Sequence, residues 1–131
     1  MKTNSLFKIL SAVLLYASIT YMVGCGSNSV TNPLGGSVTF TMSQQTGGTG
    51  IQFLAKPSVD ARITRVICNL NSAAFSDTIV SNVPNYLYSK DSFYVVGEFN
   101  GVLTGQQWSF IFTGTDAANA AYTSTSNYTI P

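Results

Sequence analysis

From Ser37 to the C-terminus the apolar residues recur at every second position in short runs, a period that suits a β-strand and excludes an amphipathic helix. Val38, Phe40 and Met42 alternate with Thr39, Thr41 and Ser43, and Ile51, Phe53 and Ala55 repeat the pattern up to Pro57. Val66, Cys68 and Leu70 share a face within 62–70, and Trp108, Phe110 and Phe112 alternate with Ser109, Ile111 and Thr113. One apolar face and one hydroxylated face is the mark of half-buried antiparallel strands. Gly, Asn, Asp and Pro punctuate the runs, and residues 117–121 offer one helical turn at most.

The remaining segments complete the series. Residues 44–50 read as a loop, 75–83 as a weaker strand closed by Pro84, and 86–88 as a short strand. Within 92–100, alternation puts Phe93, Val95 and Phe99 on one face and Tyr94, Val96 and Glu98 on the other. Asn100-Gly101 is a turn, 114–120 a loop and 121–130 the last strand. About seven strands spaced roughly 8 to 15 residues apart predict an all-β domain, an antiparallel two-sheet sandwich in preference to a barrel.

The N-terminus is of a different kind. Lys2 and Lys8 give a basic start, and residues 9–23 carry no charge, as in a secretory signal helix. Met22-Val23-Gly24-Cys25 resembles the bacterial lipobox, a resemblance that implies cleavage before Cys25 and acylation, as by palmitate, of the new N-terminal cysteine. A transmembrane helix needs about 20 apolar residues, and this shorter run stops at Gly24-Cys25-Gly26. Acyl chains hold a protein on a membrane without a span, each buried CH₂ contributing about 0.8 kcal/mol. The expected organisation is a signal peptide at 1–24, lipidated Cys25 with a small polar tether at 25–36, and a β-sandwich at 37–131. The expected location is the bacterial cell envelope, lipid-anchored to a membrane, the outer one in a Gram-negative cell.

Charge and composition exclude several functions. Histidine is absent, which removes the commonest general base and transition-metal ligand. Beyond the signal, Lys56, Arg62, Arg65 and Lys90 face Asp60, Asp77, Asp91, Glu98 and Asp116, so there is no basic patch for nucleic acid. With Cys25 lipidated, Cys68 has no partner and reads as a small buried residue; without the lipid the two could pair. Gly47-Gly48-Thr49-Gly50 reads as a phosphate-cradling loop or as a hairpin, and the lack of a following Lys-Ser/Thr favours the hairpin. Asp116 with Asn119 is the nearest approach to a calcium loop, short of the dense spacing one needs. Arg62 and Arg65 read as a solvated strand face. No motif marks a Ser-Lys pair or paired carboxylates, so a non-enzymatic protein without a cofactor is expected.

Gly105 to Thr115, GQQWSFIFTGT, followed by the Tyr-rich segment ending Asn127-Tyr128-Thr129-Ile130-Pro131, resembles the closing strands of immunoglobulin-like or fibronectin type III-like modules of bacterial surface proteins. That resemblance implies an immunoglobulin-like sandwich. Tyr86, Tyr88, Phe93, Tyr94 and Trp108 form the one ambiguous aromatic group. In one reading Phe93 and Trp108 are core and the tyrosines cover a sheet edge near Pro84; in the other, Tyr86, Tyr88 and Tyr94 form a binding surface. The expected function is a membrane-anchored envelope lipoprotein with a structural or protein-binding role, its partner an envelope protein. The alternative is a carbohydrate-binding module whose partner is an envelope glycan.

Overall fold

The computed structural model describes residues 37–131; the expected signal peptide, Cys25 and the expected tether fall within 1–36 and lie outside the described residues. Seven strands follow in order: β1 (Phe40–Thr46), β2 (Ile51–Pro57), β3 (Ala61–Leu70), β4 (Phe75–Val80), β5 (Tyr94–Phe99), β6 (Gln107–Asp116) and β7 (Ala121–Thr129). They pair antiparallel in two sheets, β1-β2-β5 and β4-β3-β6-β7, and no helix occurs among the described residues. The protein is therefore the all-β, two-sheet sandwich that its alternation predicts.

Alternation works best where a strand is long and central. Along β6 Trp108, Phe110, Phe112, Gly114 and Asp116 are all buried, and the residues between them are less so. Phe53 and Ala55 of β2 face them from the other sheet, with Phe53 edge-on to Phe110 at 4.9 Å and tilted against Trp108 at 5.0 Å. Phe40 of β1 stacks on Phe112 at 3.9 Å, and Val66 and Cys68 of β3 complete the layer. Cys68 is inward as expected; burial, and secondarily the Asp77 charge, push its thiol pKa up to about 12. Gln44 Oε1 is the buried side-chain oxygen without a hydrogen-bond partner among the described residues.

Gly114 lets β7 fasten to β3 across β6. A Cβ there would run into the Arg62 carbonyl and lie 2.9 Å from the Tyr122 hydroxyl, which crosses the gap to donate to Arg62 O at 2.9 Å. Burial pushes the Tyr122 phenol up, so it stays a donor.

Several boundaries depart from the sequence reading. β1 runs to Thr46 because Gln44, Gln45 and Thr46 pair with Phe53, Gln52 and Ile51, which shortens the expected 44–50 loop. β6 runs to Asp116, whose carboxylate Oδ1 accepts the Ala118 and Ala120 amides at 2.9 Å. This cap folds the hairpin over Asn119 at φ 64 and uses the carboxylate that a calcium loop would need. β4 stops at Val80, before Pro84, and residues 86–88 make one bridge, Ala61 to Tyr88, in place of a strand.

The largest correction concerns β5. Leu54 pairs with Val95 but Phe53 pairs with Gly97, so Val96 is an extra residue, a β-bulge. Beyond it the facing changes parity: Tyr94 and Val96 turn inward with Phe99, and Val95 turns out, 56% exposed. Phe93 is not core. It is 45% exposed, with the Lys56 ammonium 5.6 Å from its ring centroid.

Candidate functional site

The sheet order leaves β1 and β7 facing each other on one side of the sandwich and β5 and β4 on the other. On the second side the strands meet at one end, where Phe75 and Phe99 lie edge to face at 6.1 Å. A methyl group on Gly97 would come within 2.9 Å of Ile79 Cδ1, so the strands are close there too. Past Ile79 the sheets part. The gap is a cleft of about 200 Å³ floored by Ala55, Ile63, Val66 and Phe112 and walled by Ile79, Val80, Val95 and Val96. Ser81, Asn82, Tyr88 and Tyr94 are its polar rim.

The tyrosines are placed by the link between β4 and β5. Tyr88 exchanges both backbone hydrogen bonds with Ala61, at 2.8 and 3.0 Å. The Lys90 amide donates to Asp60 Oδ1 at 2.9 Å, and the Ser89 amide donates to the Tyr94 hydroxyl at 2.8 Å. The fold thus brings Tyr86, Tyr88 and Tyr94 together: Tyr88 packs edge to face on Tyr86 at 4.8 Å and on Tyr94 at 4.7 Å. Tyr88 and Tyr94 are half-buried at the mouth of the cleft, and Tyr86 is 52% exposed beside it. Trp108 is apart from them in the core.

Val80 is 72% exposed, and with Val95 it carries apolar surface to solvent at the walls of the cleft. The tyrosine rings lie 73° and 81° from one another and so make a folded aromatic wall. Sequence reasoning missed Val80 and Val95 as surface residues, since only the bulge and the sheet order expose them.

A second, shallow depression of about 360 Å³ is lined by Val59, Asp60, Lys90, Asp116, Ala117 and Ala118. Asp60 and Asp116 each accept backbone amides there through Oδ1, so both carboxylates brace the turns around the depression. Among the described residues, no three His, Cys, Asp or Glu side chains gather as a metal site, and no helix is long and apolar enough to cross a membrane.

No protein-family model matches the chain, and no curated protein matches it either.

Proposed function

We propose that the chain is a lipid-anchored lipoprotein of the bacterial envelope, held at Cys25, that displays a non-enzymatic sandwich as a protein-binding module. The observation that carries the binding role is the apolar side of β4 and β5, where Val80, Val95 and Tyr86 stand exposed around a cleft that reaches the core. The immunoglobulin-like, fibronectin type III-like resemblance is supported by the strand order: β1-β2-β5 in one sheet and β3-β6-β7 in the other match the constant-type immunoglobulin order, from which β4 departs by pairing with the third strand in place of the fifth. The anchor is supported by the lipobox resemblance of Met22-Val23-Gly24-Cys25.

A photo-crosslinking residue at position 80, and one at the exposed β7 position Thr123 as control, tests the module in intact cells. A discrete protein adduct from position 80 alone, lost with Val95→Asp, is expected; equal adducts from both positions would sink the assignment of this side. Glycan-array binding abolished by Tyr88→Ala would replace the protein partner with a carbohydrate. For the anchor, the intact mass should correspond to a chain beginning at acylated Cys25, and Cys25→Ala should leave an uncleaved precursor. An unmodified wild-type mass would remove the lipid from the proposal.

A further inference from the structure

The loop 47–50 joining β1 to β2 closes on itself, the Gly47 amide donating to Gly50 O at 2.8 Å. Three more of its donors converge on Glu98 of β5, distant in sequence. Glu98 Oε1 accepts the Thr49 backbone amide, the Thr49 hydroxyl at 2.9 Å and the Gly50 amide at 2.8 Å. Oε2 accepts Gln52 Nε2 at 3.1 Å, and Gln52 is itself aimed by Gln45, whose amide donates to its Oε1 at 2.8 Å.

The glycines distinguish a shaped receptor from a loop that is merely pliable. A Cβ at Gly47 would lie 2.5 Å from Glu98 Cδ, and one at Gly50 would collide with the Phe99 carbonyl and come within 2.8 Å of Asn100 Oδ1. A Cβ at Gly48 would meet nothing. Room is thus missing at Gly47 against the carboxylate itself and at Gly50 against the adjoining Phe99–Asn100 segment, while Gly48 has space to spare. A hairpin needing flexibility alone has no reason for this division.

We propose that the 47–50 loop is a carboxylate receptor whose resident ligand is Glu98, so that the tip of the β1–β2 hairpin is latched to β5 and released by protonation. The donors are two backbone amides, a hydroxyl and a side-chain amide, with no cation among them. The side chains around the carboxylate, Gln45 on β1, Thr49 in the loop, Gln52 on β2 and Asn100 after β5, are uncharged, so no neighbouring titration competes.

Hydrogen bonding favours the charged form: the Thr49 amide first, then Gln52 and the Thr49 hydroxyl, hold the Glu98 carboxyl at about 2 against an ordinary 4.5. The latch is therefore at full strength above pH 4.5, and its contribution to stability is lost as the pH falls towards 2.

Carboxyl-detected NMR of the full chain tests this. The Glu98 carboxyl should titrate near pH 2, with the Thr49 and Gly50 amide resonances moving at the same midpoint; a midpoint near 4.5, or amides that do not follow it, would overturn the latch. Gly47→Ala should shift those amides to the positions seen in Glu98→Ala. Adding acetate to Glu98→Ala should restore the wild-type amide positions, and failure to do so would show that the loop is no receptor. Equal restoration by inorganic phosphate would show a general anion nest and overturn the assignment to carboxylates.

Discussion

The two long sides of the sandwich are built from the same kinds of strand and finished differently. On the β1/β7 side, Ser126 Oγ donates to the Phe40 carbonyl at 3.0 Å, Phe40 lies 6.0 Å from Tyr122, and the stacked Phe40–Phe112 pair lies directly behind. On the β4/β5 side the strands touch through Phe75, Phe99 and Ile79 and then separate around an apolar cleft. The first side carries its apolar area inward and stabilises the fold. The second leaves Val80, Val95 and Tyr86 in water, where they contribute little to folding and are available to another molecule. The bulge at Val96 and the stop at Val80 interrupt regular pairing on both edge strands, a device that discourages indiscriminate strand addition and still leaves the cleft open.

The strongest way to break this contrast is Phe40→Ala, which should cost about 3 to 5 kcal/mol in urea unfolding because it empties a stacked, buried site. A loss below about 1 kcal/mol would show that the β1/β7 side is not the supporting one. Cys68→Ser places a hydroxyl among apolar neighbours and should cost about 1 to 3 kcal/mol. The native thiol should resist labelling at neutral pH, its pKa standing near 12, and rapid labelling would place Cys68 at the surface. Ser126→Ala removes the hydrogen bond between the sheets and should cost about 1 kcal/mol. The smallest effects belong to the open side: Val80→Ser and Val95→Ser should each change stability by less than about 0.5 kcal/mol while weakening partner capture. A double variant as damaging as Phe40→Ala would make that side part of the core and remove its claim to a binding role.

Much of the fold was legible because burial of one strand face dictates a two-residue period. Phe53, Ala55, Val66, Cys68, Trp108, Phe110 and Phe112 all lie where that period puts them. The facing of β5 was not read correctly, since one additional residue at Val96 inverts the parity of those around it, and the one local sign of a bulge within Tyr94–Phe99 is the interior Gly97. The tyrosines could be picked out as a group, but their contact depends on the bridge between Tyr88 and Ala61, which the sequence of the linker does not contain.

The sequence by itself determined the all-β class, the inward face of the central strands and the inward position of Cys68, because each follows from neighbours two residues apart. Only the tertiary structure decided which edges face each other, where the cleft opens, and that Glu98 docks into the glycine-rich loop that reads as a flexible hairpin. The Gly50 amide and the Glu98 carboxylate are 48 residues apart in the chain. Contacts at that separation are set by sheet order and register, which arise from the packing of all seven strands and leave no local trace.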